Sequence, residues 1–218
     1  MHASRRDRDT LGFVTRVIVY DRTCVRSRGR LSPIWAAGAR MYRSLGRTDD
    51  IVGVASWSEA FAWLAGRRDP ISEIQYWGHG NWGAARVGDD VLDARALMAT
   101  HPSHRELEAV RERLAPDALL WFRTCETFGA RAGRELAMRL ADFLGARVAG
   151  HTYVIGFHQS GLHGLAPGTT PDWSPNEGLA EGTADAPRRA KSSRPWAART
   201  ITCLTGHVPA AWFAGTIG

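Results

Sequence analysis

Hydrophobic positions along this chain follow two periods, one of about two residues and one of about 3.6. Residues 13–20, Phe-Val-Thr-Arg-Val-Ile-Val-Tyr, are rich in β-branched and aromatic side chains and predict a strand. A helix is expected from Pro33 or Ile34 to Leu45, closed by Gly46, and a short apolar strand over 51–54. Ser56-Trp57-Ser58-Glu59 matches a capping box, and Trp57, Ala60, Phe61 and Leu64 fall on one helical stripe that Gly66 ends. Residues 71–77 predict the next strand and 84–92 a β-hairpin turning at Gly88-Asp89. A second capping box, Ser103 to Glu106, opens a helix with Leu107, Val110 and Leu114 on its apolar face and Pro116 beyond its end. The run 118–122 suits a strand buried on both faces. A long amphipathic helix follows, with Leu136, Leu140, Phe143 and Leu144 in its stripe and Gly145 at its end, and 147–150 starts another strand.

The resulting order, β-α-β-α-β-hairpin-α-β-α-β, predicts an α/β fold with a mostly parallel sheet and helices on both faces. From His158 to Trp196 the chain turns to Gly, Pro, Ser and Thr with little periodicity, which predicts a long irregular segment that is a functional lid, a wrapping loop or partly disordered. Residues 200–204 are a last strand candidate, and the apolar tail 210–213 is expected to pack back on the body. The expected organisation is a flexible N-terminus over 1–10, an α/β core over 11–157, and a loop-rich covering segment of the same domain over 158–218.

Composition narrows the function classes. At 218 residues and 44% hydrophobic, the chain fits one larger domain with a packed core. No window approaches the roughly 18 apolar residues of a membrane span, and the charged start lacks the apolar core of a secretory signal. A cytoplasmic protein without a membrane partner is the expectation. Cys24, Cys125 and Cys203 are too few and too scattered for a disulfide framework or a C-x-x-C zinc site, and no cofactor or metal is expected. The formal charge is +6, and Lys191 is the only lysine among 28 basic residues. Arginine suits phosphate recognition, but the basic groups (Arg5, Arg6 and Arg8; Arg26, Arg28 and Arg30; Arg188, Arg189 and Lys191) lie in expected tails and loops with no binding motif. A nucleic-acid binder is therefore the last-ranked reading.

Chemistry concentrates where two strands end. In a parallel α/β sheet, ligands bind beyond the carboxyl ends of the strands. One such end carries His79 and another Cys125. A thiol nucleophile needs a base, and histidine is the side chain poised near neutral pH. Gly80 lets a backbone N–H approach, which with the Cys125 N–H would stabilise an oxyanion. Gly78-x-Gly80-x-x-Gly83 also satisfies the dinucleotide fingerprint, but the hairpin expected after it denies pyrophosphate a helix N-terminus. His151, His158 and His163 match no zinc spacing; His151 and His158 are candidate pocket residues, with Arg123 and Glu126 beside the cysteine. Trp173 and Trp196 are expected to anchor the long loop, and Cys24 and Cys203 to be structural.

The sequence strand–His79-Gly80, hairpin, helix, strand–Cys125, helix resembles the caspase–hemoglobinase fold of cysteine peptidases. The 46-residue His-to-Cys interval is close to the roughly fifty of the caspase order. The stretches 78–92 and 125–150, with Ala132-Gly133 in the helix, are also similar to a bacterial domain of unknown function found in large surface proteins. The resemblance implies a hydrolase acting on a protein or peptide substrate, with His79 as general base, Cys125 as nucleophile and a thioester intermediate. Glu126, Asp89 and Asp90 would favour a basic side chain if they line the pocket. The alternative is a catalytically inactive caspase-like binding module, which the bulky, charged Arg123 two residues before the cysteine favours.

Overall fold

A computed structural model of the chain describes residues 14–25 and 30–214. The expected N-terminal segment and Arg5, Arg6, Arg8, Arg26 and Arg28 lie outside the described residues. Strands β1 (Thr15–Asp21), β2 (Asp50–Val54), β3 (Ile71–Trp77), β7 (Leu114–Arg123) and β8 (Arg147–His151) pair parallel in the order β2-β1-β3-β7-β8. Along the chain, β3 is followed by a separate three-stranded antiparallel unit, β4 (His79–Asn81), β5 (Ala84–Val87) and β6 (Asp90–Asp93). The helices are α1 (Leu31–Ser44), α2 (Trp57–Ala65), α3 (His104–Arg111) and α4 (Ala130–Leu144). The fold is α/β with a mostly parallel central sheet, as the alternation of periods predicts. No helix among the described residues is long and apolar enough to cross a membrane.

Strand pleating sorts the core into two layers. Val17, Val19, Ile74, Tyr76 and Phe122 face one way and pack with Phe61 and Leu64 of α2, Val110 of α3 and Leu136 and Leu140 of α4. Each such buried side chain stabilises the fold by about 1.5–3 kcal/mol relative to leaving it in water. Ile18 and Trp77 face the other way and pack with Ala39 and Tyr42 of α1. Beside them Trp121, Leu119 and Ala149 are covered by Ile201, Phe213 and Trp212 from the C-terminal segment. One sheet face therefore carries three helices, and the other carries α1 and the end of the chain.

The C-terminal segment is more ordered than its composition predicts. Strand β10 (Leu162–Leu165) pairs antiparallel with β8, and β14 (Phe213–Ala214) pairs parallel with β10, extending the sheet to seven strands. Two small ribbons complete it, β9 (His158–Gln159) with β13 (Ile201–Thr202) and β11 (Leu179–Gly182) with β12 (Pro187–Ala190). The expected strand 200–204 thus shrinks to two residues outside the main sheet. Trp173 anchors this segment as expected: it is buried, stacks on Phe128 with centroids 5.9 Å apart, and donates its indole N–H to Phe128 O at 3.1 Å. Trp196 does not; it is 76% exposed, with the Arg194 guanidinium over its ring.

Two local expectations fail for identifiable reasons. Ser103 makes no side-chain cap, because its backbone is helical (φ −73, ψ −8) and not extended as a capping residue requires, and Glu106 accepts from Ser58 Oγ on α2 at 2.5 Å. Leu114 lies not on α3 but at the start of β7, whose first residues carry a bulge. Pro116 has no N–H to give the ladder and Asp117 adopts φ 59, so Ile71 and Glu73 pair with Leu114 and Leu119 across the looped-out residues. The first cap holds: Ser56 Oγ accepts from Glu59 N at 3.1 Å, while Glu59 reaches back to Ala55 N at 2.8 Å. Gly145, at φ 60, closes α4 in the left-handed region that favours glycine.

Candidate active site at the switch point of the sheet

The chain leaves β1 outward to β2, then returns to β3 on the other side of β1 and continues to β7 and β8. The connection after β1 runs over one sheet face through α1, and the one after β3 over the opposite face. A crevice opens at such a reversal, beyond the carboxyl ends of the diverging strands. Here it is a cavity of about 410 Å³. One wall is α1, through Ile34, Trp35, Met41 and Tyr42, and the other is Ile155, Phe157, Gln159, Cys203 and Leu204. The base holds Trp77, His79, Arg123 and Cys125.

His79 and Cys125 reach this cavity because β3 and β7 are paired neighbours, with Trp77 opposite Arg123 as the last register pair. Two residues further on each strand stand the imidazole and the thiol. Gly80 lets the two loops touch: a Cβ there would lie 2.2 Å from Thr127 Oγ1 and 2.6 Å from Cys125 O. A thiol–imidazole contact is present, but with a different sulfur. His79 Nε2 lies 3.3 Å from Cys24 Sγ, while Trp35 packs edge-on to the imidazole at 5.3 Å. Cys24 follows β1, the other strand of the reversal, so topology and not sequence spacing brings it to His79. It is a neighbour of the site rather than the merely structural residue expected from its context. Cys125 Sγ points toward Ile155 O at 3.9 Å, and burial pushes its thiol pKa above the ordinary value.

Arg123 is 5% exposed and forms part of the cavity base. Burial draws its pKa down, Tyr42 being the first group to oppose this. Its Nε and one terminal nitrogen donate to Gln159 Oε1 at 3.2 and 2.9 Å. The same terminal nitrogen donates to Cys203 O at 3.0 Å, and the other donates to Tyr42 Oη at 2.7 Å and Thr205 O at 3.2 Å. Tyr42, Trp77 and Trp121 surround the cation with ring centroids at 5.4, 5.3 and 4.4 Å. A buried cation needs such saturation, and here it fastens α1 and the 202–205 turn to the end of β7.

The remaining candidates lie elsewhere. Glu126 does not line the cavity; its Oε2 has no partner among the described residues, and burial pushes its pKa up to about 7. His151 is fully buried, with Nδ1 3.1 Å from Ser160 O and Nε2 without a partner among the described residues. Burial lowers its pKa to about 3, so it is neutral. His158 pairs with Thr202 in the β9–β13 ribbon, and His163 stacks on Trp173 between Glu177 and Arg199. Asp90 accepts from Trp57 N at the start of α2, and neither Asp89 nor Asp90 lines the cavity. Sequence reasoning missed Trp35, Tyr42, Gln159 and Cys203, since nothing in their local pattern marks them.

The family model of a domain of unknown function, DUF4347, matches residues 53–164, just over half of the chain. The matched stretch includes His79, Gly80 and Cys125, while the α1 wall, Cys24 and the 202–205 turn fall outside it. No curated protein and no solved structure matches the chain.

Proposed function

The chain belongs to the DUF4347 family of domains of unknown function, and for this member we propose a cysteine-dependent peptidase of caspase-like fold. The observation that carries it is the delivery of His79 and Cys125 by neighbouring strands into one cavity at the switch point of the sheet. In this reading His79 takes the Sγ proton of Cys125, and the thiolate attacks the carbonyl carbon of a peptide bond, forming a C–S bond. The carbonyl oxygen becomes an oxyanion stabilised by the backbone N–H groups of Gly80 and Cys125. Its collapse breaks the C–N bond, and the imidazolium returns the proton to the leaving amine. Water then gives a proton to His79 and attacks the thioester, releasing the acid and restoring the thiol. The His79–Cys24 contact describes a resting arrangement, since catalytic hydrogen bonds in free enzymes are often long and tighten with substrate. Residence in the cytoplasm belongs to the same reading, because a reducing compartment keeps the thiol competent.

The test is labelling by a thiol-directed peptide electrophile, with the modified residue located by peptide mass mapping. Modification at Cys125 is expected, and Cys125→Ala is expected to abolish it without altering the circular dichroism spectrum. Equal labelling of the variant sinks the assignment.

The second reading is a binding module that keeps the fold without the chemistry. One contact and one consequence of burial favour it: the His79 imidazole meets Cys24, and burial raises the Cys125 thiol pKa, which opposes thiolate formation. A chain that binds peptides but is inert toward every electrophile would fit this reading.

A further inference from the structure

We propose that the cavity holding His79 and Cys125 takes a large apolar side chain, of the Leu, Met or Phe class, from the residue whose carbonyl is attacked. The inference rests on the acyl-transfer reading above for the identity of that residue, and on the cavity itself for its chemistry. Arg123 is the sole Arg, Lys, Asp or Glu side chain lining the cavity among the described residues. A guanidinium has five N–H donors. Those of Arg123 are directed at Gln159, Tyr42 and the carbonyls of Cys203 and Thr205, leaving none for an incoming carboxylate. An acidic side chain would be desolvated there with no guanidinium N–H free to meet it.

A basic side chain fares worse. No carboxylate lines the cavity among the described residues, and the nearest fixed charge is another cation. The basic preference that Glu126, Asp89 and Asp90 would have conferred therefore has no structural support.

The apolar case has independent evidence at the rim. Ile34 and Phe157 are 61% and 59% exposed, and Met41 and Leu204 are also exposed; all four border this one cavity. Scattered apolar residues on a surface need no explanation, but a cluster ringing a single opening marks a place where apolar surface becomes covered. At about 410 Å³ the cavity stands at the small end of the range for ligand sites, suited to one bulky group. Trp35, half-buried in the α1 wall, supplies aromatic surface beside it.

The experiment has two arms. In the first, the chain is treated with four acyloxymethyl-ketone peptides that differ only in the residue next to the electrophile: Leu, Phe, Asp or Arg. Burying a Leu or Phe side chain corresponds to about 10- to 100-fold in rate, so the Leu and Phe probes are expected to modify Cys125 at least about tenfold faster. An Asp or Arg probe that reacts as fast overturns the proposal. In the second arm the Cys125→Ala chain, which cannot react, is titrated with the four corresponding N-acetyl amides while the indole N–H signals of Trp35 and Trp77 are followed by NMR. The Leu and Phe amides are expected to shift those signals at concentrations where the Asp and Arg amides do not. Apolar preference among the amides, with no modification of Cys125 by any probe, would uphold the cavity inference and refute the acyl-transfer reading. Absence of preference among the amides overturns the cavity inference whatever the probes do.

Discussion

Replacing Arg123 by alanine tests the idea that this cation is a fastener and not a substrate ligand. Its removal leaves Gln159 Oε1 without a donor. The carbonyls of Cys203 and Thr205 also lose it, but both lie within reach of the Tyr42 hydroxyl, at 2.7 and 3.0 Å. That hydroxyl has one proton, so one carbonyl stays satisfied and the other does not. Two orphaned acceptors cost about 1–3 kcal/mol each, and water entering from the adjoining cavity relieves part of this. The expected loss is about 3 kcal/mol, a fall of about 6–12 °C in the unfolding midpoint for a chain of this length. Arg123→Lys keeps the charge but loses the planar fork, and about half that loss is expected. Chemical denaturation measures the free energy, and limited chymotryptic cleavage at Leu204 and Trp212 reports release of the covering turn. An alanine variant within about 0.5 kcal/mol of the parent, with unchanged cleavage, would refute the reasoning.

Three further outcomes are expected. His151 titrates at about 3 in the fold and near 6.5 when unfolded; its depressed value makes the stability it contributes complete above 6.5 and lost as pH falls toward 3. Between pH 6.5 and 5 the parent should lose about 2 kcal/mol relative to His151→Asn, read from urea midpoints at each pH, and parallel curves would count against a neutral buried imidazole. Glu126 has the opposite sign, since its folded pKa of about 7 lies above the unfolded 4.5. The parent should fall behind Glu126→Gln in thermal midpoint as pH rises from 4.5 through 7, and a constant gap would show the carboxyl to be solvated. Gly80→Ala would press a methyl group into Cys125 O and Thr127 Oγ1; about 1–3 kcal/mol of destabilisation and slower labelling of Cys125 are expected, and unchanged labelling would separate the hairpin from the chemistry.

What the sequence revealed depended on whether a residue's role is local. Strand β3 and helices α2 and α4 follow from their own side-chain periods, and the Gly88 turn from its own backbone preference. Strand β10, Leu-His-Gly-Leu, was hidden because all four residues are buried, so no alternation remains to be read. Pro116 looks like the stop after a helix, yet it sits inside β7, where a bulge absorbs its missing N–H. His79 and Cys125 were legible because strand ends in a parallel sheet are privileged positions. Cys24 was not, because only the order of strands puts the end of β1 beside that of β3. Arg123 was legible as unusual, but its partners are 36 to 82 residues away in sequence, and no spacing rule reaches them.

The hydroxyl of Tyr42 bonds the 203 and 205 carbonyls across 161 and 163 residues of chain. Contacts this distant in sequence carry the largest loop-closure entropy and form late in folding. During synthesis the strands bearing His79 and Cys125 emerge long before Cys203 and Leu204, which complete the far wall of the cavity. The cavity therefore has both of its walls only once that last turn has closed over Arg123.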